Sequence, residues 1–320
     1  MAKAKEPGYL RILRKWMSSN SRPLACAAIP AVGGFRREED IRPLIGFLEQ
    51  SWSRGAARAG LASFGDGIVE DLVTVIRRPE TIAAARLSVP LILREIGSQE
   101  AQRALFQCLY LQDSVVAFRA LKSLNKIRHR GRLMLEADFF LPILQIWARE
   151  HYELINLELL LGGDGARGTR RLLQKTVTER IDWGIERIFR GLALFLPGAD
   201  AHSSYRAYVG DQTVLRENAI ELIDSLVKGE LRQTILPILT EESPDKKAEI
   251  GRSMFSLAGN LEQVLSDALF QADPWLKCCL LAWIKGEGKS ELRGRVVDAC
   301  EDRHAIVRET ARWALITWGD

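Results

Sequence analysis

The residue types that most often carry catalysis are spread thinly along this chain. Its four histidines are scattered: His129, His151, His202 and His304. None has a second ligand at metal-binding spacing, so sequence proximity assembles neither a zinc site nor a nucleophile–base pair. Carboxylate pairs such as Glu241-Glu242 fall at helix starts or in loops, where negative charge complements a helix dipole. We therefore expect no enzyme activity, no metal and no cofactor.

Two glycine-rich segments have the spacing of phosphate-binding loops. Gly163–Gly168 satisfies G-x-G-x-x-G, and Gly286–Ser290 ends like a Walker A loop, although Trp283 stands where that loop has its first glycine. Both fingerprints require a preceding β-strand, whereas helical patterns precede these segments. We expect an interhelix loop at the first and a polar turn at the second, with no small-molecule substrate.

Two clusters of cations are the remaining candidates for ligand contact. They comprise Arg128, Arg130 and Arg132, and then Arg167, Arg170 and Arg171. Both fall at helix ends or in loops, where several cations could converge on a phosphate, a lipid headgroup or a partner. A solvated rim is the alternative interpretation. These six arginines are the predicted anion or partner contacts.

Net charge changes sign along the chain. Residues 1–60 carry 11 basic and 5 acidic groups, residues 61–180 carry 17 and 14, and residues 181–320 carry 17 and 22. A nucleic-acid binder usually concentrates positive charge along one face, so this gradient argues against nucleic acid as a partner. The basic end favours anionic lipid or an acidic partner.

Hydropathy and cysteine usage indicate a cytoplasmic protein. No apolar run approaches the roughly 20 residues that cross a bilayer, and the N-terminus lacks the apolar region of a signal peptide. The five cysteines are odd in number and show no C-x-x-C spacing. We expect them to be reduced thiols on apolar helix faces.

Small and apolar residues recur in four segments at a step of 31 residues. The columns are Ala25, Ala56, Leu87 and Phe118, then Ala28, Ala59, Pro90 and Leu121, then Ala31, Ala62, Leu93 and Leu124. Spacing of i, i+3 and i+6 marks the buried stripe of a helix, and a constant step marks stacked helices. The pattern predicts an all-α fold, a solenoid in which antiparallel helix pairs form a superhelix.

Aspartates precede several of the later helical segments. Asp211, Asp273 and Asp302 each stand before an amphipathic run and are predicted to cap its free N–H groups. Tryptophans crowd the same region: Trp275, Trp283, Trp313 and Trp318. We expect them to fill helix faces in the core or at a cap, with a role as interface anchors as the alternative.

Two segments, 113–121 and 302–315, resemble the HEAT repeat, in which an Asp, a Val-Arg pair and spaced alanines open the second helix. Residues 185–240 look like the HEAT-repeat region that follows a membrane domain of the ATP/ADP-translocase-like or major-facilitator type in bacterial proteins. The resemblance implies a cytosolic scaffold beside a transporter-like membrane domain. It supplies no catalytic residue for this chain.

The predicted organisation has four parts: residues 1–21 as an N-terminal arm or capping helix, 22–135 as regular HEAT-like repeats, 136–210 as an irregular middle with long helices, and 211–320 as C-terminal HEAT-like repeats, all in one continuous solenoid. Within the arm, residues 9–17 form a short helix with an apolar and a basic face. Such a helix either caps the first repeat or lies on a membrane surface.

The expected function is a non-catalytic scaffold that binds a protein partner, in the cytoplasm or in association with a membrane or membrane protein. Two other classes stay open. One is a HEAT-type enzyme that resembles the phycobilin lyases or a DNA glycosylase, although the acidic C-terminal third argues against DNA. The other is a nucleic-acid or anionic-lipid binder that uses the basic N-terminal third.

Overall fold

A computed structural model describes residues 7–78, 81–134, 140–162, 167–194 and 201–316. Within these ranges the regular elements are α-helices and short 3-10 turns, without a strand, so the all-α prediction is confirmed. None of the described helices is long and apolar enough to cross a membrane. Contacts divide the chain into two units, residues 1–111 with 115–135, and residues 112–114 with 136–320. The predicted division into four parts of one solenoid stays a prediction.

The first unit is built from short helices: α1 (Pro7–Met17), α2 (Arg22–Gly34), α3 (Glu38–Gly46), α4 (Arg54–Ala62), α5 (Val69–Arg77), α6 (Ala83–Arg86), α7 (Val89–Ile96), α8 (Gln99–Gln107) and α9 (Ser114–His129). Local signals set the ends. Gly97 ends α7 in the left-handed conformation, with φ 68°. Ser98 then starts α8, because its Oγ accepts a hydrogen bond from the Ala101 N–H at 3.1 Å.

Burial in this unit repeats every 32 residues. One column of buried positions is Ala25, Ala57, Val89 and Leu121, and a second is Ala28, Gly60, Ile92 and Leu124. The intervening helices follow the same step, with buried Leu44, Ile76 and Cys108. A constant step shared by both helices of a pair is typical of a helical repeat.

The predicted step of 31 residues is therefore wrong by one position. Its columns include Ala31 and Ala59, which are exposed. A shift of one residue turns a helix by about 100°, which moves a column off the buried face. Alanine misled the alignment because it is a strong helix former wherever it stands, buried or not.

Helices α2 and α4 meet where two glycines face each other. A Cβ atom on Gly33 would lie 2.2 Å from the carbonyl oxygen of Gly60, and one on Gly60 would lie 3.0 Å from the carbonyl oxygen of Ile29. Both obstacles are backbone atoms, which cannot rotate away. The two helices can approach this closely only because neither glycine has a side chain.

Replacing Gly33 with alanine is expected to destabilise the protein although alanine is the better helix former. The clash with Gly60 should cost about 2 to 3 kcal/mol, more than the roughly 1 kcal/mol of helix propensity gained. Urea unfolding measures the difference. Gly34→Ala is the matched control, because nothing lies within 4 Å of its added Cβ, and it should be neutral or slightly stabilising. Equal stability of the two variants would refute the close contact.

Helix α1 docks on the first repeat through an ion pair. Its Leu10 and Met17 are buried, and it packs against α2. Arg14 donates from Nε to Asp40 Oδ1 at 2.7 Å and from Nη2 to Asp40 Oδ2 at 2.8 Å. Asp40 is only 2% exposed and stands where the 32-residue step places Leu72 in the next repeat. A charge in a core column needs a partner, and α1 supplies it.

Arg14→Met should destabilise the unit by about 2 to 3 kcal/mol, because it leaves the Asp40 carboxylate buried without its partner. The double variant Arg14→Met/Asp40→Leu should recover most of that loss, since an apolar residue suits this column. Denaturant titrations of the wild type, the two single variants and the double variant give the coupling energy. A double variant no more stable than Arg14→Met would count against this account.

The second unit begins with two long helices and continues with shorter ones: α10 (Leu141–Leu161), α11 (Gly168–Leu192), α12 (Ala201–Val209), α13 (Thr213–Leu226), α14 (Gly229–Thr240), α15 (Pro244–Phe255), α16 (Leu261–Gln271), α17 (Pro274–Gly286), α18 (Arg293–Asp298) and α19 (Ala305–Ile316). Helix α10 runs through the core. Tyr152 on α10 is buried and donates from its hydroxyl to the Thr234 carbonyl at 3.0 Å. This bond fixes α10 against α14.

Helix α17 lies between α11 and α19. It runs antiparallel to α11, since Arg180 bonds to Asp273 while Thr176 lies against Cys279, farther along α17. It runs parallel to α19: Lys277 Nζ donates to Asp302 Oδ2 at 2.8 Å, and Lys285 Nζ donates to the Trp313 carbonyl at 3.2 Å. Parallel neighbours are the arrangement that successive repeats of one type produce.

The predicted caps have three different outcomes. Asp273 caps α17, accepting at Oδ1 from the N–H groups of Trp275 and Leu276. Asp302 accepts from the His304 N–H at 2.8 Å, in the turn that leads into α19. The Asp211 prediction is wrong, because Gln212 holds the N-cap position of α13 and its side chain makes no capping bond. Asp211 stands one residue too early.

Candidate functional site

The first predicted arginine cluster lies at the C-terminus of α9. Gly131 has φ 67°, the Gly131 N–H bonds to the Arg128 carbonyl, and the Arg132 N–H bonds to the Ile127 carbonyl. This is a Schellman motif. Arg130 and Arg132 are exposed, and Arg128 is half-buried. Cations at this end of a helix complement its dipole, which gives the cluster a structural role without a ligand.

A buried glutamine holds the segment that follows. The Gln102 side chain is fully buried and donates from Nε2 to the carbonyls of Gly97 and Arg132, both at 3.0 Å. Its Oε1 accepts from the Met134 N–H at 2.8 Å. These bonds fix the backbone of Arg132, while its exposed side chain stays available to solvent.

The second cluster lies at the start of α11 and belongs to the other unit. Arg170 Nη2 donates to the Leu161 carbonyl at 2.5 Å, so this side chain ties α11 to the end of α10. Arg167 and Arg171 are exposed. The three arginines therefore do not act alike: one satisfies a helix-terminal carbonyl, and two remain candidates for anion contact. Whether any of the six arginines binds a partner stays a prediction.

The glycine motifs give no phosphate site in the described residues. Gly163–Ala166 of the first motif lies outside them. In the second, Gly288 has φ 63°, its N–H bonds to the Lys285 carbonyl, and the Lys289 N–H bonds to the Ile284 carbonyl. This segment is the Schellman cap that ends α17. The N–H groups of Gly288 and Lys289 are therefore engaged by the helix.

The histidines stay apart. His129 is exposed, His304 precedes α19, and the side chain of His202 lies outside the described part. His151 is 1% exposed, and neither ring nitrogen has a hydrogen-bond partner. Desolvation, with smaller contributions from Lys247 and Arg187, lowers the pKa of His151 to about 3. No cluster of three or more His, Cys, Asp or Glu residues in the described ranges could hold a metal.

The described cysteines are free thiols. Cys108, Cys278 and Cys279 are buried, while Cys26 and Cys300 are half-buried. Burial raises the pKa of Cys108 to about 12, because the thiolate would lose its hydration. A thiol kept protonated in this way is a poor nucleophile.

Two exposed tryptophans flank a sequestered ion pair. Arg180 on α11 donates to both carboxylate oxygens of Asp273, at 2.7 and 3.1 Å, and both side chains are only 12% exposed. The Arg180 guanidinium carbon lies 4.5 Å from the ring centre of Trp183, which is 45% exposed. Trp275 is 46% exposed, and its N–H donates to Asp273. We name Trp183, Arg180, Asp273 and Trp275 the tryptophan site.

Other tryptophans divide between core and surface. Trp283 is buried, as predicted, whereas Trp275 and Trp313 are about half exposed. The Lys285 ammonium lies 3.6 Å from the ring centre of Trp313. Trp318 lies outside the described residues. Sequence reasoning missed Trp183 as a surface residue, because helical periodicity places it on α11 without indicating that Arg180 is bound by an aspartate 93 residues away.

An open polar groove of about 410 Å³ lies between α16 and the turn before α18. Its lining includes Glu262, Asp267 and Glu291, with Arg295 as its cation. The groove is acidic and solvent-open, and it brings together no nucleophile–base pair. It does not contain any of the predicted arginines.

No protein-family model and no curated protein matches this chain. The functional argument therefore depends on the surfaces of the molecule itself. Among these, the tryptophan site combines exposed aromatic area with a rigid frame.

Buried His151 makes a stability prediction. The folded protein keeps it neutral, whereas the unfolded chain protonates it below pH about 6.5. Because the unfolded state then binds more protons, the free energy of unfolding should fall as pH drops from about 6.5 toward 3. Between pH 7.5 and 5.5 the loss should be about 1.4 kcal/mol. His151→Leu should flatten this dependence, and the exposed control His129→Gln should keep it. Urea midpoints at both pH values decide, and an unchanged slope in His151→Leu would reject the assignment.

Proposed function

We propose that this chain is a HEAT-like α-solenoid that acts as a non-catalytic scaffold and binds a protein partner in the cytoplasm, beside a membrane. The 32-residue repeat of buried positions in the first unit supports the solenoid. So does the parallel packing of α17 and α19 through Lys277 and Asp302. Each repeat of a solenoid buries its apolar face on its neighbours, and the surface that results commonly serves recognition.

The tryptophan site is the observation that carries the proposal. Tryptophan and arginine are the residues most enriched among interface hot spots, and hot spots bind best when they are held in place before the partner arrives. Trp183 stacks on a guanidinium that a carboxylate fixes in turn, and Trp275 stands in the first turn of α17. Two large aromatic faces can therefore be buried with little loss of conformational entropy.

The charge of the site restricts its partner. Arg180 and Asp273 neutralise each other, so the site has no net cation or anion to attract a charged ligand. The partner that fits is a protein segment with an apolar side chain to pack against the indole rings. Binding should therefore depend on buried apolar area and respond weakly to salt.

Trp183→Ala and Trp275→Ala test this site. Tagged wild-type protein and each variant are incubated with cross-linked lysate, and captured proteins are quantified by mass spectrometry. A specific partner should be captured by the wild type and lost with both variants. With that partner purified, each substitution should weaken binding by about 2 kcal/mol, or about 30-fold, in titration calorimetry.

Phe270→Ala is the matched control, since Phe270 on α16 is an aromatic residue 78% exposed in the same unit. It should capture the partner as the wild type does. If all four proteins capture the same set, or if the loss follows Phe270→Ala equally, the tryptophan site is not the binding surface. Far-UV circular dichroism and urea midpoints verify that the variants fold.

A further inference from the structure

Helix α1 has one face committed to the fold. Leu10 and Met17 are buried toward α2, and Arg14 is held by Asp40 and, at 2.9 Å, by Glu39. The hydrogen bonds to both carboxylates raise the pKa of Arg14, which keeps it charged. This face fixes the orientation of the helix, so the opposite face is presented to the outside in a defined way.

The outward face is aromatic and aliphatic. Tyr9 is 53% exposed, Ile12 is 46% exposed and Trp16 is 43% exposed. Their spacing of three and then four residues places them on one side of the helix. The stripe follows nearly the whole helix, which at 11 residues is about 16 Å long.

Two cations border this stripe. Arg11 and Lys15 are exposed, lie one turn apart and project from the side next to Ile12. In the described part of the chain, neither forms an ion pair or a hydrogen bond, in contrast to Arg14. Cations left unpaired beside exposed aromatic residues can act on an external charge.

We propose that α1 docks the protein on an anionic lipid surface, with Tyr9, Ile12 and Trp16 in the interface and Arg11 and Lys15 against the headgroups. Tyrosine and tryptophan partition to the boundary between headgroups and acyl chains, and lysine and arginine contact anionic headgroups. Because its other face is fixed on the fold, α1 lies in the membrane plane. The inference concerns a different surface from the tryptophan site and does not rest on it.

The charge pattern favours lipid over a protein partner. Residues 1–60, which include α1, carry 11 basic and 5 acidic groups. A shallow stripe of three side chains on one short helix gives limited apolar contact, so it needs the added attraction of a negative surface. A planar anionic surface offers that attraction along the whole helix.

Vesicle co-sedimentation with the full chain tests the proposal. The probes are vesicles of phosphatidylcholine alone and vesicles with about 30% phosphatidylglycerol, at an ionic strength of about 0.15 M. The wild type should bind only the anionic vesicles. Arg11→Gln/Lys15→Gln should lower the partition coefficient about 30-fold, about fivefold per charge. Trp16→Ala should lower it about tenfold, because binding scales with the apolar area inserted.

Matched controls separate a local site from bulk charge. Arg103→Gln/Arg130→Gln removes two exposed cations from the same unit, and Tyr110→Ala removes an aromatic residue 47% exposed. Both should bind as the wild type does. Absence of binding to anionic vesicles, equal binding to both vesicle types, or equal loss in the controls would overturn the proposal. So would retained vesicle binding by the α1 variants. If the α1 variants lose a captured protein instead while no vesicle binding occurs, the stripe is a protein interface.

Discussion

Aspartates at the starts of helices depend on cations from neighbouring helices in both units. Asp40 in the first turn of α3 is bound by Arg14, Asp273 at the cap of α17 by Arg180, and Asp302 before α19 by Lys277. A carboxylate near a helix N-terminus satisfies free N–H groups, but its burial costs free energy unless a cation accompanies it. Each of these helix starts is therefore stable only when the neighbouring helix is in place. Nearest-neighbour dependence of this kind is what holds a stack of helices together.

The effect of these pairs on acidity is visible at Asp302. Burial raises the pKa of this carboxyl, but the hydrogen bonds from Lys277 and from the His304 N–H outweigh burial and leave the pKa below its ordinary value. Because the folded-state pKa is lowered, the stabilisation is present above the unfolded pKa of about 3.9 and is lost as pH falls below it. Asp302 therefore remains charged across the pH range in which His151 titrates in the unfolded chain.

The sequence predicts the helices well because their buried stripes are local. The helix expected at residues 9–17 is α1, and the one expected at Asp273–Gly286 is α17. The exact repeat step was lost because an alanine column reports helix propensity as readily as burial. A pattern within one helix cannot show which residue of another helix it meets. The Arg180–Asp273 pair spans 93 residues, and the exposure of Trp183 follows from that pairing.

The two proposed surfaces differ in how their cations are used. In the tryptophan site, Arg180 is neutralised by Asp273, so its role is to orient Trp183. On α1, Arg11 and Lys15 have no partner among the described residues and extend an attraction into solvent over about a Debye length, 8 Å at physiological salt. A neutralised cation contributes rigidity, and an unpaired cation contributes long-range attraction. Counting arginines in the sequence, as in the clusters around Arg128 and Arg170, does not separate these roles, because the partner that decides between them is set by the fold.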